Sequence, residues 1–246
     1  MLIKYIFLGI IQGLTEFLPV SSSAHLVIFQ ELFGLSQDKV VLSIALHLGS
    51  LAALIVFLFK DIKRFLKPRI VSSILLATFV TAVIVILGQD YFESMFSSGR
   101  LILPLIVSGI ILLSTKKFGG GLRGADDLKL ADGFWLGLVQ GLSVIPGLSR
   151  SGVTISTLLF RGVERETAFK FSFLASILAI LGALFFKVKD FASPACFDRY
   201  MLFGFLGAFL SGLLALKVLL AIIRRARFYL FGYYCLALAL VLWRLL

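Results

Sequence analysis

LGIIQGL at residues 8–14 returns as LGLVQGL at 136–142, an offset of 128 in a chain of 246 residues. A proline and then a serine cluster follow each copy: Pro19 with Ser21, Ser22 and Ser23, and Pro146 with Ser149, Arg150 and Ser151. The chain therefore reads as two copies of one unit, each with a polar elbow set in apolar sequence. Proline removes a helical donor and serine caps the helix that follows, so residues of about 5–30 and 134–160 each read as two half-helices joined at an elbow.

The surroundings are those of a lipid-embedded protein. Hydrophobic residues make up 60% of the chain, charged residues 15%, and the mean hydropathy is +1.05. Apolar runs at Val40–Phe59, Ile70–Leu87, Leu101–Leu113, Phe169–Phe186, Met201–Ile223 and Phe228–Leu246 imply six crossings, the third short. They lack the period-two alternation of a barrel, and lipid leaves backbone groups only helices or closed barrels. The expected fold is an all-α polytopic membrane protein: six transmembrane helices plus two re-entrant helical hairpins, in one membrane domain over 1–246. Repeat 1 covers about 1–115, repeat 2 about 130–246, and a cytoplasmic connecting loop about 115–133. Ser22-Ser23-Ala24 after an apolar stretch loosely imitates a signal cleavage site, but the recurrence of this segment deep in the chain favours working structure.

Three crossings per repeat is an odd number, so the second copy must be inverted relative to the first. Placing loops 60–69, 115–133, 161–170 and 223–227 in the cytoplasm gathers 15 Lys and Arg there, against 7 on the other side. The seven are Lys4, Lys39, Arg100, Lys187, Lys189, Arg199 and Arg244. That bias puts both termini on the extracytoplasmic face. It also reads the formal charge of +11 as an orientation signal rather than a nucleic-acid surface. Cys196 and Cys235 have no metal-ligand spacing and read as packing residues without a disulfide.

The elbows carry the chemistry. Gln12 and Glu16 are four apart and share a helix face. A carboxylate in lipid costs about 2.5–3.5 kcal/mol on insertion scales, so Glu16 is expected to face a polar cavity with a partner. Ser21, Ser22, Ser23 and His25 add hydroxyls and an imidazole within ten residues of it, enough for nucleophile and proton transfer. The plainer alternative is a turn with a structural histidine. Across the offset, Ser149, Arg150, Ser151 and Thr154 combine hydroxyls, a fixed cation and a half-helix N-terminus suited to a phosphate group. An ion pair between Arg150 and Glu16 is the alternative. His47 reads as packing against a neighbouring helix, with facing the site as the alternative, Lys217 as snorkelling and Asp132 as a helix cap. Asp126, Asp127, Glu164 and Glu166 read as solvated charge balance.

QGLTEFLPVSSSAH (12–25) and PGLSRSGVT (146–154) resemble the two signature motifs of the bacitracin-resistance type undecaprenyl pyrophosphate phosphatases. The likeness extends over essentially the whole chain. It implies an enzyme of the bacterial inner membrane that removes the terminal phosphate of undecaprenyl diphosphate, recycling the carrier lipid for peptidoglycan and conferring bacitracin resistance. It implies a divalent cation, usually Mg2+, held by Glu16 with Gln12 as the accepted variant of a paired acidic motif. The family's reactive serine falls on Ser22, its histidine on His25, and its phosphate-binding serine, arginine and threonine on Ser149, Arg150 and Thr154. Ala24 stands where many relatives have glycine. Glu16 would hold the metal or deprotonate Ser22, and His25 would protonate the leaving oxygen or activate water. Covalent phosphoserine and direct water attack both stay open, as does a carrier function, because broken helices in inverted repeats also build transporters. Glycines in 203–212 suit contacts within a protomer or in a homodimer.

Overall fold

The computed structural model describes residues 2–32, 39–95, 100–187 and 199–245. They form α1 (Leu2–Phe17), α2 (Ser22–Leu32), α3 (Lys39–Phe65), α4 (Pro68–Leu87), α5 (Gln89–Ser94), α6 (Ile102–Phe118), α7 (Leu130–Leu142), α8 (Arg150–Phe160), α9 (Arg165–Lys187), α10 (Met201–Arg224) and α11 (Leu230–Leu245). No multi-residue strand occurs among the described residues. Cys196 and Lys189 lie outside them, as does the side chain of Lys187.

Four helices, within α3, α4, α9 and α10, are long and apolar enough to cross a membrane. On α4 only 22% of the span is buried, and Leu75, Phe79 and Ile86 point outward. Such a helix, apolar all round but little covered, is what lipid contact produces. The other two expected crossings appear as the shorter helices α6 and α11, of 17 and 16 residues. Both proline-broken segments are helix pairs, α1 with α2 and α7 with α8. The second starts at Leu130, four residues before the expected bound, because Asp132 at its N3 position accepts the Lys129 N–H at 2.8 Å.

The packing exchanges partners between halves: α1 lies along α10, and α7 lies along α4. The glycines of the duplicated heptapeptide make these crossings close. A Cβ on Gly9 would stand 2.2 Å from the Gly204 carbonyl oxygen, and one on Gly137 would stand 2.4 Å from that of Ala77. Small residues at four-residue spacing let two backbones touch, which is how helices associate where lipid removes the hydrophobic driving force. Gly204, Gly207 and Gly212 face Tyr5, Ile6 and Phe17, so these glycines in 203–212 serve contacts inside the protomer. α11 pairs with α6, and α9 lies against α3, α4, α8 and α10. An aromatic seam runs through the centre, with Phe173 edge-on to Phe17 at 5.6 Å and to Phe169 at 4.8 Å.

Of the acidic residues read as solvated balance, Asp126, Asp127 and Glu164 are exposed, whereas Glu166 is half-buried and tied between elements. Lys170 of α9 meets Asp61 of α3 at 2.7 Å and Glu166 at 2.8 Å, and Glu166 meets Arg224 of α10 at 2.8 Å. Asp126 pairs with Lys67, whose ammonium holds its exposed carboxyl below the usual carboxylate range. Asp132 does cap α7, but it is also fully buried and receives both Arg161, at 2.6 Å, and Arg123. The 119–129 loop is thereby clipped to the end of α8, with Arg123 N–H donating to the Gly162 carbonyl at 3.2 Å and Glu164 N–H to that of Arg123 at 2.9 Å.

Candidate active site

The first elbow turns at Ser21, whose φ of +66° places a non-glycine residue in the left-handed region. That conformation costs about 1–2 kcal/mol and persists only where neighbours hold it. The Ser21 hydroxyl oxygen accepts the Ala24 N–H at 3.4 Å and lies 3.2 Å from the Ser23 hydroxyl, capping α2. The reversal brings Ser22, first residue of α2, back toward the end of α1. Its hydroxyl donates to the Glu16 Oε2 at 2.8 Å, six residues upstream.

The second elbow is built differently at its tip. Gly147 takes a φ of +94°, and Ser149 caps α8 by accepting the Gly152 N–H at 3.2 Å. Ser108 of α6 braces it, accepting the Ser149 N–H at 2.9 Å and donating to the Gly147 carbonyl at 3.3 Å. Ser149 is 1% exposed and its oxygen is committed to the cap, so it supports the elbow from behind.

The two elbows meet. Gly147 N–H donates to the Ser23 hydroxyl at 3.4 Å, and the Arg150 guanidinium donates to Glu16 Oε1 at 3.1 Å. Glu16 is the hub: Oε2 also receives Gln12 Nε2 at 3.0 Å, and His47 Nε2 of α3 stands 3.8 Å away. The carboxylate side chain is 4% exposed, whereas that of Arg150 is 35% exposed, so an entering ligand meets the cation before the anion behind it. A cavity beside the pair is lined by Glu16, Phe17, Arg150, Ser151, Thr154 and Ser172. Thr154 donates its hydroxyl to the Arg150 carbonyl at 2.7 Å and sits 2.7 Å from the Ser172 hydroxyl. The ion pair raised as the alternative for Arg150 thus forms, and both its members line a cavity in which Ser151, Thr154 and Ser172 stand beside Phe17, Phe173 and Ile180.

His25 lies apart from this hub. Its Nδ1 is 2.8 Å from the Ser21 carbonyl oxygen, and its Nε2 is 2.7 Å from the phenol oxygen of Tyr234 on α11, with the two rings stacked. His47 takes the second of its two readings and faces Glu16, because its Nδ1 is anchored 2.7 Å from the Ser43 carbonyl one turn back.

Residues 5–241 match the family profile described as bacitracin resistance protein BacA. The chain belongs to this family. Among BacA relatives, a protein of Desulforapulum autotrophicum named undecaprenyl-diphosphatase is 39% identical over 95% of this chain and 94% of its own length. Proteins of the same name from Carboxydothermus hydrogenoformans and Korarchaeum cryptofilum are 40% and 39% identical. The first alignment covers 92% of this chain and 90% of that protein, the second 97% of both. Within this BacA chain, sequence reading missed Ser108, Ser172 and Tyr234. Ser172 and Ser176, one turn apart in an otherwise apolar stretch of α9, were the available signal for a polar stripe.

Proposed function

We propose that this chain hydrolyses undecaprenyl diphosphate to undecaprenyl phosphate and inorganic phosphate, recycling the carrier lipid for peptidoglycan and supporting resistance to bacitracin. The observation that carries this reading is the junction at Glu16, where a serine hydroxyl from one elbow and a guanidinium from the other meet one buried carboxylate. A carrier needs groups that bind an anion. It has no use for a hydroxyl poised 2.8 Å from a base.

The same proposal covers topology. Six crossings and two re-entrant hairpins, arranged as an inverted repeat with both termini outside, are supported by the exchanged packing of α1 on α10 and α7 on α4 and by the loop charges. At 1.5 Å per residue, α6 and α11 are about 25 Å long, enough for a crossing with flanking turns. The elbows then lie within the bilayer, open to a substrate with a charged head and an insoluble tail.

In the first step, Arg150 exchanges Glu16 for the oxygens of the terminal phosphoryl group, with Ser23, Ser151 and Thr154 as neighbouring hydroxyls. The Ser22 Oγ bonds to the terminal phosphorus while its proton passes to Glu16 Oε2. The bridging P–O bond breaks, and undecaprenyl phosphate leaves with that electron pair. Water then attacks the phosphoserine, one of its protons goes to the departing phosphate, and Glu16 returns its proton to Ser22.

A divalent cation fits this site by its donor chemistry. The Gln12 Oε1 is buried without a hydrogen-bond partner next to the Glu16 carboxylate. Among the described residues no group of three or more His, Cys, Asp or Glu could hold a metal. Mg2+ takes one or two carboxylates and completes its shell from water and substrate phosphate. Gln12 and Glu16 would hold it, and its charge would offset that developing on the phosphoryl oxygens.

The test uses purified protein in detergent with Mg2+ and undecaprenyl diphosphate, reading free phosphate. Release without a sealed membrane or gradient is expected. No release would revive the carrier, and an active Ser22→Ala enzyme would remove the covalent step.

A further inference from the structure

The strained turn at Ser21 is held from α11, and nothing in the chemistry just described uses the groups that hold it. The Ser21 carbonyl oxygen has no proton to give, so in the neutral ring of His25 it is Nδ1 that carries hydrogen and donates across 2.8 Å. Nε2 is then an acceptor, and its partner at 2.7 Å is the Tyr234 hydroxyl, 209 residues away in the chain. Both nitrogens are thus engaged, the residue is 7% exposed, and the ring is stacked on the phenol at an interplanar angle of 16°. The next residue on α11 reaches the same elbow, the Cys235 S–H donating to the Pro19 carbonyl at 3.4 Å. α11 therefore holds the Pro19 carbonyl directly and the Ser21 carbonyl through His25. In the other half, α6 braces the second elbow through Ser108.

We propose that Tyr234 and His25 are positioning residues, a phenol–imidazole strut that fixes the Ser21 carbonyl and so aims the Ser22 hydroxyl at Glu16. His25 on this account works through its Nδ1–H and transfers no proton in the reaction. The inference rests on Ser22 being the attacking group. A displacement of that hydroxyl by even an ångström is enough to lower turnover by up to about a hundredfold.

Side-chain isosteres separate a strut from a proton relay. Asparagine places an N–H where histidine has Nδ1, whereas glutamine reaches only the Nε2 position. His25→Asn is expected to keep kcat within about tenfold of the parent, with His25→Gln and His25→Ala falling further. Tyr234→Phe, which loses one hydroxyl and keeps the ring, is expected to lower kcat about tenfold while KM moves less than threefold. With His25→Ala as background, the same change is expected to have no further effect. The chain has two histidines, so 15N-histidine NMR with His47→Gln for assignment reads the tautomer directly. Tyr234→Phe is expected to shift the His25 Nε2 resonance and leave Nδ1 protonated.

His25→Asn as inactive as His25→Ala would overturn the strut, as would Tyr234→Phe at parental kcat or additive losses in the double variant. A folded Ser22→Ala enzyme that stays active would instead remove the nucleophile while the NMR coupling between positions 25 and 234 persists. The two failures are therefore distinguishable.

Discussion

The guanidinium of Arg150 lies 3.1 Å from the carboxylate of Glu16, across 134 residues of chain. In a low-dielectric interior a lone carboxylate is expensive, so each group stabilises the other until a substrate competes for the exposed one. Arg150→Ala is expected to lower phosphate release by about 10²- to 10³-fold, the loss typical of removing a donor that stabilises developing charge. Arg150→Lys should recover only part of it, because an ammonium does not reproduce the planar fork. Detergent-purified variants with near-parental rates would refute the anion site.

Glu16→Gln keeps the shape of the hub but removes the base and the anionic ligand. Turnover should fall by about 10²- to 10⁴-fold, the range associated with general-base catalysis. Binding of Mn2+, followed by EPR in the presence of a non-hydrolysable diphosphate lipid, should weaken in parallel. Unchanged Mn2+ affinity would mean that the carboxylate serves only Ser22 and Arg150.

Asp132 makes a prediction about folding alone. It is fully buried between Arg123 and Arg161, whose side chains are 27% and 26% exposed. Removing one member of a buried pair costs about 3–5 kcal/mol, and the partial exposure of both arginines puts the effect near the lower end. Asp132→Ala should lower the melting temperature in detergent and make the 119–129 loop more sensitive to protease. Parental melting behaviour would count against the clip.

The duplicated glycines should behave alike. Ala at Gly9 or at Gly137 would force its Cβ against a backbone oxygen of the facing helix. Each is expected to destabilise by about 1–3 kcal/mol, the usual cost of overpacking. A melt series in which Gly9→Ala is silent and Gly137→Ala is severe would contradict equivalent crossings in the two halves.

Much of this arrangement was legible in the chain because a duplication announces its own geometry. The offset of 128 paired Gly9 with Gly137 and Gly13 with Gly141, and each pair makes its crossing close. It also marked both elbows, whose serines and proline specify a break whatever surrounds them. What it could not mark were side chains whose meaning depends on which helix lies opposite. His47 reads as packing until α3 is set beside α1, and Tyr234 is one more aromatic in α11 until the first elbow is set against it. Asp132 was visible as a cap because capping is local. Its two arginines come from a loop and from the end of α8, and nothing local joins them.

The exchange of partners has a bearing on biogenesis. α1 is synthesised well before its partner, since the helix it lies along begins at Met201. At translation rates of about 5–20 residues per second, the nascent arm waits roughly ten to forty seconds with its glycine face and acidic side chain uncovered. No product that stops before Arg150 contains a working centre, and the membrane insertion machinery must shelter α1 until α10 arrives.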